Sequence, residues 1–540
     1  MFVLRTVVIV VFILGFVAIF CEARAQELKV AGPGDLRPVA NADPVLQILS
    51  SLPPPNLPDA SRQLLSGAAA NFLYGAWRSN LPQLEGLASP SARPLGNQTV
   101  AGASAGAIKS LATVNSRMLD GSTIADTESE TSVAISGNHV VVGFNSSADF
   151  ALGGSFSGYS FSNKLGRQFI EVSGGLPPAG FDSSTQIPIG DPSIVADAGG
   201  AFYYATLAAD LDNNNISYII IYKSTNHGST FSPIAAVSSS DGFLDKELIA
   251  VDSNAVVTND TTGLIYMSYT LFLNAGGPEI FTATFDTSGI REREPVRLTT
   301  EVASGSAPAI GPDGEVYVAW EQFSNTGGST GDAIFIAKSI DQGANFGTPV
   351  KIADVSPVSD SGASTACGRS ALKGGIRAND FPSIAVDTGS KSKFKATVYV
   401  TWNDMRNGDS DVLLAKSADG VTWSSPVRVN TNRVGDGSDQ FMPWVNVMPN
   451  GKVAAQWYDR RNDPNNWHID VFSGLSTNGG VSFANSPLET LHFPVIVNVD
   501  TFTASCYMGD YNQVANNGKN FFWTWGDNSN GDPDVVLLKR

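Results

Sequence analysis

The sequence predicts an all-β fold, a seven-bladed β-propeller with six blades as the alternative, on three observations. Three short strand-like segments recur in one order, seven times each. Turn signals rich in Gly, Asn, Asp and Ser separate them about every ten residues. A strand-like segment ahead of the first unit supplies what the last unit lacks.

The unit is clearest over 396–430. Residues 398–402 are β-branched and aromatic, 403–410 form a polar turn, 411–416 a second strand, 417–420 another turn, and 423–429 lead into a third strand. Across the chain, a first strand follows a polar, often acidic approach at 131–135, 192–195, 247–250, 308–310, 382–385, 443–445 and 511–514. A second, apolar strand, often ending in Trp, lies at 140–144, 201–205, 265–269, 316–320, 398–402, 453–457 and 521–525. The third lies at 158–161, 218–222, 280–285, 333–338, 411–416, 469–475 and 534–538. Repeats of about 60 residues in four-stranded units read as propeller blades. The seventh unit stops after its third strand. Residues 111–116 precede the first unit as 426–430 precede the sixth, so 111–116 are expected to complete the last blade and close the ring.

Of 540 residues, 42% are hydrophobic and 16% charged, and 53 are Gly, which suits many short strands. Residues 1–25 read as a secretory signal: Arg5, an apolar run over 7–20, then Ala23-Arg24-Ala25. Residues 26–109 are a Pro- and Ala-rich N-terminal extension or linker, in which 58–77 carry a helix-like apolar side of Leu64, Leu65, Phe72 and Trp77. The propeller spans 110–540. Signal removal takes away Arg5, Glu22 and Arg24 and moves the net charge from -17 to -18. Such acidity argues against nucleic-acid and anionic-membrane partners. The expected product is a monomer, secreted or periplasmic, with no membrane insertion. Cys367 and Cys506 remain, either as a disulfide or as two separate thiols.

The turn after the third strand has its own pattern. Ser339, Asp341, Gly343 and Phe346 fit it fully; Ser224, Asn226, Gly228 and Phe231, and Ser476, Asn478, Gly480 and Phe483, fit it with Asn for Asp. Ser417, Asp419, Gly420 and Trp423 are one residue tighter, and Ser162, Lys164, Gly166 and Phe169 put Lys at the acid position. The Asp or Asn accepts turn N–H bonds, Gly takes positive φ and the aromatic covers the hairpin. These turns resemble the Asp box, or BNR repeat, of the sialidase superfamily, over 111–540. The resemblance implies a propeller whose Asp boxes are structural and lie away from the active face. It also implies glycans or glycoproteins as partners and, for an enzyme, exo-acting hydrolysis of a terminal acidic sugar by an Arg triad, a Tyr nucleophile with a Glu partner and an Asp acid/base. The early Arg-Ile-Pro motif of that family is absent, and Arg167 lies in a turn box instead. The superfamily-like group also includes non-hydrolytic members.

Propeller topology puts the loops into first strands on one face with the loops between second and third strands. One residue set ends the second strands: Glu321, Asn403, Asp404, Arg406, Asp459, Arg460, Arg461 and Asp527. Trp402, Asp404 and Arg406 share their spacing with Trp457, Asp459 and Arg461. Such Arg forks either clamp a carboxylate or pin each turn to its Asp. The other set precedes the first strands: Asp191, Asp245, Lys246, Glu247, Asp380, Asp439, Gln440, Asp510 and Tyr511. Catalytic candidates are Asp380, Asp404, Asp459, Asp510 and Tyr511, with Tyr507 as a second Tyr; ligand-binding candidates are Arg406, Arg460, Arg461 and Trp444. Converging carboxylates are tolerable if hydrated, paired with Arg or bridged by Ca²⁺; no cofactor is otherwise required. Three functions are open: a non-catalytic glycan-binding propeller, an exo-acting glycoside hydrolase, and a structural cell-surface module.

Overall fold

In the computed structural model the described residues are 28–31, 111–115, 127–151, 154–212, 217–253, 263–324, 331–358, 371–489, 492–497, 503, 506–529, 531 and 533–540. The signal-like residues 1–25, the helix expected over 58–77 and Cys367 lie outside them. Among the described residues there is one helix, Ser147–Ala151, and no helix is long and apolar enough to cross a membrane.

Seven antiparallel four-stranded sheets form the blades. Blade 1 runs Glu128–Ser136, His139–Ser146, Ser157–Ser162 and Ile170–Glu171. Blade 2 runs Gln186–Ala196, Phe202–Asp210, Ser217–Ser224 and Ser232–Ser239, with Leu28–Ala31 paired to its outer edge. Blade 3 runs Gly242–Asp252, Leu264–Leu273, Pro278–Asp286 and Arg291–Arg297. Blade 4 runs Ala303–Ile310, Val316–Gln322, Ala333–Ser339 and Val350–Asp354. Blade 5 runs Ser383–Val386, Val398–Asp404, Asp411–Ser417 and Val427–Arg428. Blade 6 runs Gln440–Val447, Val453–Asp459, Asp470–Ser476 and Ala484–Pro487. Blade 7 takes Val514–Asn516, Phe521–Asp527 and Asp534–Lys539 from one end and Leu111–Thr113 from the other.

The closure follows the expected logic. Leu111, Ala112 and Thr113 pair with Leu538, Leu537 and Val536. The Asn that ends each outer strand explains the likeness between 111–115 and 426–430. Val535 N–H donates to Asn115 Oδ1 at 2.8 Å, as Val412 N–H donates to Asn430 Oδ1 at 2.9 Å.

Blades pack through apolar faces, with Trp320, Trp402, Trp457, Trp523 and Trp525 fully buried. First strands are laced around the channel by polar side chains. Ser132 Oγ accepts Ile194 N–H at 2.8 Å, Ser193 Oγ accepts Ile249 N–H at 3.0 Å, and Ser383 Oγ accepts Val445 N–H at 3.0 Å. Gln513 Oε1 accepts Val133 N–H at 3.1 Å across the seam between blades 7 and 1.

In the turns after the third strands the Asp or Asn accepts turn N–H bonds as expected. The backbone N–H of Thr230 donates to Asn226, Asn345 to Asp341, Thr422 to Asp419 and Ser482 to Asn478, at 3.1, 2.9, 2.7 and 3.1 Å. The Ser adds an acceptor that was not expected. Gly228, Gly343, Gly420 and Gly480 N–H donate to Ser224, Ser339, Ser417 and Ser476 Oγ at 2.9, 2.9, 2.8 and 3.0 Å. The side-chain amide of Asn345, and then its backbone N–H, hold the Asp341 carboxyl down at about 2. The Lys before the Ser adds a latch absent from the sequence reading. Lys223, Lys338 and Lys416 reach Thr287, Asp419 and Gly479 carbonyls of the next blade, and Lys223 and Lys338 also lie over Tyr203 and Tyr317. These turns sit opposite the loops that enter the first strands, as the antiparallel order requires.

Candidate site at the channel mouth

Five blades start their inner strand with the same irregularity. The register slips between Ser129 and Ser132, Gly190 and Ser193, Asp245 and Leu248, Ser304 and Ala307, and Phe441 and Trp444. Inside each slip one residue has positive φ: Glu130 (56°), Asp191 (58°), Lys246 (57°), Gly305 (67°) and Met442 (53°). A bulge re-aims a side chain, and a non-Gly residue with positive φ costs about 1–3 kcal/mol. Three of the five strained positions carry charge. In blade 4 the position is Gly305, where an added Cβ would come within 2.2 Å of the Phe381 ring. The glycine gives Phe381 its place in the pocket wall.

The site gathers where these bulges meet the approach to blade 7. Asp510 is its hub. It accepts Arg377 Nε–H at 2.8 Å, pairs with the second Arg377 nitrogen, and pairs with Lys246. All three side chains are buried. Arg377 sits on a small hairpin, Ala371–Leu372 with Ile376–Arg377, between blades 4 and 5. Its backbone N–H donates to Cys506 O at 3.1 Å, and Cys506 is disulfide-bonded. The Arg377 guanidinium covers the Tyr507 ring at 5.3 Å. Tyr507 oxygen accepts Ser129 Oγ–H at 2.8 Å and Asn145 Nδ2–H at 2.6 Å, and Asn145 also donates to Glu130 Oε2 at 2.9 Å.

Around this hub lie Glu130, Asp191 and Glu247, each 1% exposed. Burial, then the neighbouring Asp191 and Asp510, push the Glu130 carboxyl well above the usual carboxylate range, and Glu130 is close enough to Asp191 to give it a hydrogen bond when protonated. Burial, then Asp191, does the same to Glu247. Neither oxygen of Asp191 or Glu247 has a fixed donor, apart from a contact of Glu247 with its own backbone N–H. Asp191, Lys246, Glu247 and Asp510 line a pocket with Phe381, Trp444 and Tyr511. The pocket encloses about 40 Å³, room for a group of two or three heavy atoms. Beyond Trp444 and Leu248 a funnel of about 870 Å³ opens on the opposite face, lined by Val133, Ile194, Ile249, Val445 and Val514.

Asp510, Tyr511 and Trp444, predicted from the sequence, meet here. The Tyr511 phenol donates to Pro192 O at 2.9 Å and packs against Trp444, ring centres 6.1 Å apart. Asp380 stands behind the wall, accepting Val358 N–H and Asn403 Nδ2–H, both at 2.9 Å, with its carboxyl raised by burial.

The Trp-x-Asp-x-Arg residues close on themselves. Arg406 Nε and Nη2 donate to the two oxygens of Asp404 at 2.7 Å, Trp402 Nε1 donates to Asp404 at 3.2 Å, and Arg406 also reaches Asp354 O at 2.6 Å. Blade 6 repeats it: Arg461 holds Asp459 at 2.6–2.9 Å, Trp457 Nε1 donates to Asp459 at 2.6 Å, and Arg461 reaches Asn485 at 3.2 Å. Of the two readings of these forks, this geometry is the pin. Asp404 and Asp459 are fully buried. Arg406→Ala and Arg461→Ala are each expected to cost about 2–3 kcal/mol in denaturant unfolding, because each takes the paired cation from a buried carboxylate and leaves it its Trp and backbone donors alone. A loss below about 0.5 kcal/mol would return the forks to ligand duty. Arg460 is buried under Phe441 at 5.2 Å, with Asp439 3.7 Å away.

Glu130, Asn145 and Arg377 were missed in the sequence. Glu130 and Asn145 sit in ordinary strand patterns, and Arg377 lies in a stretch that reads as loop. Among the described residues no group of three or more His, Cys, Asp or Glu is arranged to hold a metal ion.

No protein-family model and no curated protein matches the chain. Solved structures similar to it include the α-L-arabinofuranosidase Arb93A of Fusarium graminearum, at 11% identity and TM-score 0.42, covering 66% of this chain and 94% of that one. The leech intramolecular trans-sialidase is 10% identical with TM-score 0.40, covering 68% of each chain. The intramolecular trans-sialidase of Ruminococcus gnavus is 10% identical with TM-score 0.36, covering 61% and 89%. The chain resembles these proteins in architecture. A likeness at this level says nothing of residues, ligands or chemistry.

Proposed function

We propose that this propeller recognises the end of a glycan at its channel mouth, without turnover, as a secreted or periplasmic protein. The carrying observation is the pocket floor. Asp191 and Glu247 line it together with Phe381, Trp444 and Tyr511, and among the described residues no side chain outside the carboxyl cluster donates to their oxygens. Sugar hydroxyls donate to such oxygens, and aromatic faces stack on the C–H face of a ring. An acidic sugar fits poorly. Both site cations are held by Asp510, and Glu130 and Glu247 keep protons rather than accept more negative charge. The absence of turnover is favoured by the Tyr511 phenol being tied to Pro192 and by Asp404 and Asp459 being closed by their arginines. The signal-like residues 1–25 and the disulfide at Cys506 support an oxidising, exported setting.

Exo-acting hydrolysis is the second reading, favoured by one observation: Glu130, whose carboxyl is raised well above the usual range first by burial, lies within hydrogen-bond reach of Asp191. A glycan array and a panel of fluorogenic terminal glycosides test both. Binding that weakens at least about tenfold in Trp444→Ala, with no turnover, is expected. Turnover lost in Asp191→Asn would establish the hydrolase. No binding to any glycan would sink the glycan reading.

A further inference from the structure

We propose that the channel-mouth pocket takes a primary ammonium group, so that the glycan it recognises ends in a residue with a free amino group. This rests on the glycan reading above.

The charge around the pocket points that way. Glu247 interacts with Glu130 from blade 1, Asp191 and Tyr204 from blade 2, Asp245 from blade 3 and Tyr511 from the approach to blade 7, and it shares the pocket lining with Lys246 and Asp510. The nearby cations are Lys246, in the pocket lining, and Arg377, on the hairpin behind Asp510, and both are held by Asp510. Acceptors therefore outnumber donors. Asp191 and Glu247, both nearly fully buried and among the residues that line the pocket, have among the described residues no donor for their oxygens other than a protonated Glu130 beside Asp191 and the backbone N–H of Glu247 itself. A buried carboxyl left in that state is costly, and a ligand cation removes the cost.

Shape points the same way. A space of about 40 Å³ admits one small substituent and excludes a whole sugar ring. The walls are aromatic, and one wall already holds an ammonium: Lys246 Nζ lies 5.2 Å from the centre of the Phe381 ring while it pairs with Asp510. Aromatic rings beside carboxylates are the surroundings in which ammonium groups bind. Trp444 and Tyr511, ring centres 6.1 Å apart, line the same pocket.

An entering ammonium neutralises the floor in place of a proton. The proton held by Glu247 or Glu130 leaves for solvent, and the ammonium takes its position among the oxygens. Affinity for an amino sugar therefore rises with pH until the sugar's own amine deprotonates. Affinity for a hydroxyl or acetamido sugar does not rise, since neither brings a charge.

Calorimetry on the full mature chain decides, with glucosamine, N-acetylglucosamine and glucose, and the matching galactosamine, N-acetylgalactosamine and galactose, at about pH 5 and about pH 7. The expected result is an amino sugar bound about tenfold more tightly than its acetamido and hydroxyl partners near neutrality, with proton release that depends on the buffer. Glu247→Gln is expected to erase the preference while leaving the melting temperature no lower. An acetamido or hydroxyl sugar bound as tightly as the amino sugar, or a preference unchanged by Glu247→Gln, overturns the ammonium assignment and leaves glycan recognition standing. Failure of all six sugars, together with an array that shows no glycan bound, overturns both.

Discussion

Asp510→Ala is expected to cost about 3 kcal/mol of stability, among the larger single-residue losses open to this chain. Asp510 neutralises Lys246 and Arg377 at once, and all three are buried. Removing it leaves two cations with no carboxylate in contact. Part of the loss is recovered because Glu130, which senses both Asp510 and Lys246, is freed to ionise. That recovery sets the figure at the low end of the range for a broken buried pair. It also has its own signature: the pH dependence of stability contributed by Glu130 shrinks in the mutant. Replacing all three by apolar residues of similar volume, Asp510→Leu with Arg377→Met and Lys246→Met, is expected to be about neutral. The ion cluster then belongs to the site rather than to the fold. Denaturant unfolding of the single and triple variants checks both statements. A loss below about 1 kcal/mol for Asp510→Ala would mean that the cluster is open to water.

The melting temperature is expected to fall from about pH 5 to about pH 9, by on the order of 5–10 °C. Glu489 is held up at about 9 by burial and then by Asp527, against 4.5 for an ordinary Glu. Burial likewise raises Glu130, Glu247 and Asp380, and takes Asp149 to about 6. Each of these groups binds its proton more tightly folded than unfolded. Their contribution is complete below the unfolded values near 4 and is lost as pH rises through the folded ones. The carboxyls lowered by hydrogen-bond donors, Asp341 chiefly by the Asn345 side chain and Asp419 and Asp463 chiefly by backbone N–H groups, act with the opposite sign. Their contribution is lost only as pH falls through their folded values, below the window considered. Glu489→Gln keeps the shape without the ionisation and is expected to flatten the upper part of the profile. A melting temperature that rises between pH 5 and pH 9 would contradict these assignments.

The repeat made the fold legible. The end of each second strand, the box turns and the Asn shared by 115 and 430 are local signals, and local signals survive in a single sequence. The approach residues Asp191, Asp245, Lys246, Glu247 and Asp510 were legible as a set because topology alone puts them on one face. Their partners were not. Arg377 comes from a short hairpin whose pairing with 506–510 depends on contacts more than a hundred positions apart. Glu130 is aimed by a bulge, and no residue type announces a bulge when Glu or Asp occupies it rather than Gly. The Trp-x-Asp-x-Arg pattern was legible as a pair but not as to its use. Two arginines that grip their own Asp carry the same letters as two that would grip a ligand.

The seam in blade 7 governs timing as well as shape. Asn115 and Val535 are 420 positions apart, and the outer strand of that blade emerges long before the three strands it joins. A chain still being made can build blades 1 to 6 in sequence, yet it cannot close the ring. Until 534–539 arrive, the strand that joins 521–527 to 111–113 is missing and residues 111–113 have no partner in the blade. Ring closure is therefore the late, long-range step, and such steps set folding rates. It is also the interval in which a second chain could donate its own 111–113 in exchange, giving a swapped dimer from crowded or slowed synthesis.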